Sequence, residues 1–383
     1  MVRIGLVIDC FDPRLGGAQG WTFQYAQRLL TRGHEVHVVT QEVGGGQRLP
    51  VVAHCLGRIH SQVGRAMAAE ETLRSLDLDV IHDIGMGWYC NLLQSEDGSR
   101  LAMWEQRLKL LQPWLRPLKR RMIRVLPRYH DFRALMARQF GDPQRLILAV
   151  SKMCAGHYQQ YHGVAAERIR IVYHGTDNQR FSPAHRESYR EPIRAQLAIG
   201  ADEVVFIFVG HDYRRKGLAT AIRALARLGA DGAQARLLVV GGNHRGQWFR
   251  FLQQHQAARV TFTGPVADPV PYYAAADAFV LPTFYDPCSL SVSEAAACGL
   301  PSVTSRFNGA AELLSEGVEG FVLADPADDS ELCNRLGSLM DPALRLRMGA
   351  AARRLALRYT LERNCDELMA IYDELAPARR AAA

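Results

Sequence analysis

Short apolar strands alternate with helical segments from the first residues to about 150; the alternation then breaks and starts again near 203. Residues 2–8, Glu35 to Thr40, Asp79 to Asp83 and Leu146 to Val150 read as buried strands. A helix from about Ala18 to Thr31, ended by Gly33, follows the first of them. The second run has strands at 203–209, 236–240, 259–262, 277–281 and Pro301 to Thr304. Its helices run to about Leu228 and from about Leu290 to Ala297, the latter stopped by Gly299. Such alternation makes a parallel sheet covered on both faces, and two runs make two α/β domains. Between them, His174-Gly175-Thr176-Asp177, Ser182-Pro183 and Glu191-Pro192 gather turn formers in a polar stretch over 175–192, which reads as a linker. The expected boundaries are 1–185, 186–357 and a final helix over 358–383 packing back toward the first domain. Ligands of such sheets sit beyond the carboxyl ends of the strands, so the strand-to-helix loops are where chemistry is sought.

A length of 383 residues agrees with two cores. The first residues read as a strand rather than a secretion signal, and no apolar run approaches the roughly 20 residues that span a bilayer. Eight scattered cysteines, with no Cys-x-x-Cys pair, read as reduced thiols in a cytoplasmic protein, and no zinc is expected. The net charge of +7 is uneven: residues 100–138 hold eleven Lys and Arg against two acids, leaving the rest slightly acidic.

Three loops carry chemistry. The first is Tyr285-Asp286-Pro287-Cys288-Ser289-Leu290, with Glu294 on the helix that follows. Backbone N–H groups of Cys288, Ser289 and Leu290 fall at that helix start, unsatisfied and on the positive end of the dipole, which suits an anion. Glu294, two turns on, suits a ribose diol. The alternative is that Asp286 merely caps the helix and Glu294 is a surface acid. The second loop, Tyr213-Arg214-Arg215-Lys216-Gly217, puts cations at a helix start against the macrodipole, a conflict that a bound diphosphate relieves; the alternative is a solvated basic loop. The third, Gly16-Gly17-Ala18-Gln19, permits close backbone approach but lacks dinucleotide spacing, which argues against a nicotinamide enzyme. His82-Asp83 ends a strand; a histidine there is a packed residue or a functional one. Asp77-Leu78-Asp79 precedes its strand and reads as a helix end, not a metal pair.

In order and spacing, these pieces resemble family 4 of the retaining glycosyltransferases, of GT-B fold. The resemblance rests on Gly16 to Gln19, Asp79 to His82, Ile171 to Asp177 with Phe181-Ser182-Pro183, Arg215-Lys216-Gly217, and the acid-x7-acid run ending Cys298-Gly299-Leu300-Pro301. Within that family the chain is most similar to lipopolysaccharide-core glucosyltransferases, through His211 to Gly217 and the basic segment. The resemblance implies two Rossmann-like domains facing a cleft, and transfer of a hexose from a nucleotide sugar, a UDP-sugar foremost, to a glycan or glycolipid without a metal or other cofactor. It implies that Glu294 holds the ribose, and that Arg215, Lys216, Gly17, Ser289 and Leu290 hold the diphosphate. Asp286 and Cys288 would face the donor sugar, Gly16, Gly17 and Gln19 would form the acceptor-side loop, and Asp286 and His82 are the catalytic candidates. The family usually has Glu where this chain has Asp286.

Residues 100–138 interleave cations with Trp104, Trp114, Leu115, Met122 and Ile123, the composition of a helix lying in a membrane surface. Trp114, Lys119, Arg120, Arg121 and Arg124 are the expected contacts, at the inner face of the cytoplasmic membrane. Pro113, Pro117 and Pro127 exclude one continuous helix. A packed helical insertion with a solvated basic face is the alternative; no nucleic-acid-binding module is visible. Rival functions are a sugar-nucleotide epimerase, a glycan phosphorylase and a non-catalytic membrane-surface protein on the same fold.

Overall fold

The computed structural model describes residues 1–45, 49–229, 232–242, 245–255 and 259–382. They form two compact units, Met1–Tyr173 with Leu361–Ala383, and His174–Thr360. The units thus divide at 173/174 and 360/361, where the sequence reading put 185/186 and 357/358.

The first unit is a seven-stranded parallel sheet. Its strands are β1 (Arg3–Phe11), β2 (Glu35–Val43), β3 (Val52–Cys55), β4 (Val80–Asp83), β5 (Leu92–Gln94), β6 (Leu146–Ala149) and β7 (Ile169–Ile171), in the order β3-β2-β1-β4-β5-β6-β7. Around it lie α1 (Ala18–Thr31), α2 (Gln62–Arg74), α3 (Arg100–Leu108), α4 (Arg116–Val125), α5 (Pro127–Gly141) and α6 (Lys152–His162). Trp21, Tyr25 and Leu29, spaced four apart on α1, are all buried, which is the stripe a sheet-covering helix needs.

The second unit is a six-stranded parallel sheet with helices between its strands. The chain runs α7 (His185–Gln196), β8 (Val204–Val209), α8 (Leu218–Arg227), β9 (Ala235–Val240), α9 (Arg245–Gln254), β10 (Val260–Gly264), α10 (Val270–Ala275), β11 (Ala278–Leu281), α11 (Leu290–Ala297), β12 (Ser302–Ser305), β13 (Gly320–Leu323), α12 (Asp329–Ser338) and α13 (Pro342–Ala356). The strand order is β10-β9-β8-β11-β12-β13. Central β11 is buried throughout, as a sheet covered on both faces requires.

The expected linker over 175–192 is largely wrong. Its second half is α7, which tolerates Pro192 in its interior although the ring removes one helical hydrogen bond. The reason is tertiary: Arg186, Arg190 and Arg194, four residues apart, all reach the carboxylate of Asp277 just before β11.

The closing helix α14 (Leu361–Ala382) belongs to the first unit. Asn364 accepts from the Trp21 indole at 3.2 Å and donates to the Tyr173 carbonyl at 2.9 Å. Arg28–Glu362, Arg32–Asp366 and Arg170–Glu374 pairs flank it.

The basic segment is three helices and a 3-10 turn (Pro113–Leu115), broken at its prolines. Trp104 is buried edge-on to Tyr129 and belongs to the core, not to a surface. Arg120 is held bidentately by Glu105, and Lys119 lies over the Tyr129 ring. Trp114, Leu118 and Val125 are exposed beside exposed Arg121 and Arg124. Among the described residues, no helix is long and apolar enough to cross a membrane.

Candidate active site

In the second unit, three loops leave the carboxyl ends of β8, β11 and β12, adjacent strands of one sheet. Gly217, the N-cap of α8, has φ +81°, and a Cβ there would lie 2.0 Å from the Pro282 carbonyl oxygen. Only glycine allows the first two loops to touch backbone to backbone. Phe284 N donates to the Arg215 carbonyl (2.8 Å), and the Arg215 guanidinium returns a bond to the Tyr285 carbonyl (2.7 Å). Lys216 is thereby set beside Asp286, Nζ to Oδ2 at 2.5 Å, with both side chains largely buried. Asp286 N donates to the Phe307 carbonyl and Gly309 N to the Asp286 carbonyl, each at 2.9 Å, which ties in the third loop.

Two expectations change here. The cations ahead of α8 were expected to be relieved by a bound anion, but the protein's own acids already pair with them: Asp286 with Lys216, and Asp212 with Arg215 at 3.4 Å. The N–H of Ser289 is not unsatisfied, for it donates to Asn308 Oδ1 at 3.1 Å. Asn308 is fully buried and is anchored in turn on Thr304. Cys288 is buried, and Leu290 is the first residue of α11.

Glu294 sits in the second turn of α11, partly exposed. Tyr273 on α10 donates its hydroxyl to Glu294 Oε2 at 2.8 Å. Burial pushes the Glu294 carboxyl above its ordinary range, while the Tyr273 hydrogen bond and the Arg180 and Lys216 charges pull it back.

The remaining candidates belong to the first unit. Gly17, the N-cap of α1, has φ +69°, and a Cβ at Gly16 or Gly17 would meet no atom within 4 Å among the described residues. Gln19 donates to Asp9 at 3.2 Å. His82 does not fit its catalytic assignment. Its ring is fully buried, with Nδ1 hydrogen-bonded to the Tyr372 hydroxyl of α14 at 2.7 Å and Tyr25 edge-on to it. Burial lowers its pKa to about 3, so the imidazole is neutral and inaccessible, a packing residue beneath α14. Its neighbour Asp83, also buried, accepts the N–H groups of Gly85 and Gly87 at 2.7 Å each and shapes the loop after β4.

Sequence reading missed Tyr273 and Asn308. Tyr273, in Tyr272-Tyr273-Ala274-Ala275, looks like an ordinary core aromatic, and nothing local marks Asn308 as the partner of a residue 19 positions away.

Two family models match the chain: "Glycosyltransferase Family 4" over residues 15–180 and "Glycosyl transferases group 1" over 203–341. A D-inositol 3-phosphate glycosyltransferase of Thermobifida fusca is 31% identical over 228 residues, 55% of this chain and 51% of that protein. The chain thus spans about half the length of that relative. A GDP-mannose-dependent alpha-(1-6)-phosphatidylinositol monomannoside mannosyltransferase of Mycolicibacterium smegmatis is 28% identical, over 92% of this chain and 93% of that one. Among solved structures, WaaG, a glycosyltransferase involved in lipopolysaccharide biosynthesis, superposes with a TM-score of 0.81 at 21% identity, over 97% of this chain and 99% of its own. With a family model on each sheet unit, the chain belongs to the GT-B glycosyltransferases, a Family 4 unit joined to a group 1 unit.

Proposed function

We infer that the protein is a retaining hexosyltransferase that moves a sugar from a nucleoside diphosphate to a glycan or glycolipid acceptor at a membrane surface. The observation that carries this reading is the cluster of Arg215, Lys216 and Asp286 at the carboxyl edge of the second sheet, with Glu294 in the second turn of the neighbouring helix. Breaking a sugar–phosphate bond places negative charge on the departing diphosphate. Arg215, Lys216 and the α11 N-terminus supply fixed positive charge for it, so the reading calls for no metal. Asp286, beside Lys216, faces the donor hexose, and Glu294 takes the ribose. The departing phosphate accepts the acceptor's proton as the acceptor oxygen attacks on the face the phosphate leaves, which retains the anomeric configuration.

The donor is UDP-glucose by the likeness to lipopolysaccharide-core enzymes. GDP-mannose is the second reading, favoured by the mannosyltransferase relative that aligns over nearly the whole chain. Exposed Trp114, Leu118 and Val125 beside Arg121 and Arg124 suit the anionic inner face of the cytoplasmic membrane, with roughly 1 kcal/mol from each cation.

One assay tests both parts. Purified protein is incubated with UDP-glucose or GDP-mannose, with and without vesicles of anionic phospholipid, and nucleoside diphosphate release and co-sedimentation are measured. We expect slow release from one donor, undiminished by EDTA, and sedimentation with the vesicles. Release from neither donor would favour a non-catalytic protein on the same fold, and protein left in the supernatant would remove the membrane from the account.

A further inference from the structure

The two oxygens of Glu294 are not equivalent. Oε2 accepts the Tyr273 hydroxyl at 2.8 Å, whereas Oε1 accepts no hydrogen bond among the described residues. Tyr273 has no freedom to drift: its ring is wholly buried, edge-on to Phe181 at 5.8 Å and tilted against Phe279 at 6.5 Å. Its hydroxyl is also 3.3 Å from the Ser291 carbonyl, one turn before Glu294 on the same helix. A carboxylate on a flexible two-carbon stem is thus held in one orientation by a rigid donor.

We propose that Tyr273 is the positioning residue of the ribose site, its hydroxyl holding one oxygen of Glu294 so that the other is presented to the diol of the donor. The inference rests on the reading of Glu294 as the ribose ligand. A diol donates two O–H groups, and it binds well only to an oxygen that is ionised and correctly aimed.

Ionisation is where the Tyr273 hydroxyl leaves a signature. Several groups act on Glu294: Tyr273 from α10, Lys216 from the loop before α8, Arg180 from the segment before α7, and Asp268 from the segment before α10. Arg180 and Asp268 pair with each other at 3.1 Å, which blunts both. Cys298, at the end of Glu294's own helix, is buried and its thiol is pushed up to about 12, so it stays neutral. Burial raises the Glu294 carboxyl, and the Tyr273 hydrogen bond favours the charged form. Removing the hydroxyl therefore raises the carboxyl further. The penalty is greatest at low pH and fades once the pH exceeds the raised value.

The test uses the full chain and UDP, then GDP if UDP does not bind, with affinity measured by calorimetry at about pH 6 and about pH 8.5. Tyr273→Phe is expected to weaken binding about tenfold at the lower pH, the worth of one hydrogen bond to a charged group, and less than about threefold at the higher. Melting at both pH values checks that the variant is folded. In a Glu294→Gln background, Tyr273→Phe should add no pH-dependent loss. Weakening that persists in full in the Glu294→Gln background would mean that the hydroxyl merely holds α10 to α11 through Ser291, and would overturn the inference. Should Tyr273→Phe not fold, a fluorotyrosine at position 273, a stronger hydroxyl donor of nearly the same shape, decides: the pH at which affinity falls must move down, and an unmoved profile would overturn the inference. A Glu294→Gln variant that binds as well as wild type overturns the ribose reading itself. One that binds poorly, beside a Tyr273→Phe loss that is the same in both backgrounds, overturns only the role of Tyr273.

Discussion

Lys216→Ala is expected to lower kcat/KM for sugar transfer by about 10² to 10³, the range seen when one fixed donor to a developing anion is removed. The effect is large because Lys216 is set by backbone contacts that leave it little choice. Gly217 holds the loop against Pro282, and Arg215 spans to the Tyr285 carbonyl. The same substitution also leaves Asp286 largely buried without its cation, so some loss is one of stability rather than of chemistry. The double variant Lys216→Ala/Asp286→Ala separates the two. It should recover most of the melting temperature lost by Lys216→Ala and none of the activity. Steady-state kinetics with the accepted donor, alongside thermal melts of the three proteins, make the comparison. An active Lys216→Ala protein would mean that the cation serves only its ion pair.

The second large effect is on stability. Asp277→Ala should cost the second unit about 3 to 5 kcal/mol, the range for breaking a buried pair and leaving its partner charged. Arg194, 2% exposed, gives its guanidinium to Asp277 Oδ2 at 2.6 Å and to the carbonyls of Gly200, Ala201, Glu203 and Ala275. Arg190 reaches Oδ1 at 2.7 Å, and Val205 N of β8 donates to Oδ2 at 2.9 Å. Desolvation by itself would raise the Asp277 carboxyl, but Arg190, the Val205 N–H and Arg194 outweigh it and hold it below its usual range. A lowered carboxyl contributes fully at neutral pH, and its contribution is lost as the pH falls below about 4. Urea unfolding at neutral pH measures the loss. Arg186→Ala, which removes the most exposed of the three cations, should cost under about 1 kcal/mol by the same assay.

This network also shows where sequence reading reaches its limit. The bounds of α1 and α11 are legible because glycines at positive φ, Gly33 and Gly299, close both helices. Strands β8 and β11 are legible as apolar runs, and β12 as the segment that follows the Gly299-Leu300-Pro301 turn. Helix α7 is not, because Pro192 and its polar neighbours argue for a loop and only the distant Asp277 outweighs them. Strands β3, β5, β7 and β13, of three or four residues each, carry no marking turn or motif of their own and are held by the neighbouring strand that pairs with them. The nearness of Arg215 and Lys216 to Asp286 follows from loops on adjacent strands. Its consequence, cations already met by carboxylates, does not. His82 was misread because strand position tells which end of the sheet a residue is near, not whether a helix such as α14 covers its side chain. Tyr273 and Asn308 act through contacts across separate elements, which local pattern does not carry.

The central claim is that the second unit holds a nucleoside diphosphate on Arg215, Lys216 and Glu294. The most direct test is thermal stabilisation of the purified protein by UDP, GDP and ADP, repeated with Glu294→Ala and Lys216→Ala. A ligand at 100 times its dissociation constant adds about 2.7 kcal/mol, a shift easily read in a melt. Stabilisation by one nucleotide, lost in both variants, is the predicted result. Equal stabilisation of wild type and variants, or none by any nucleotide, would contradict the account.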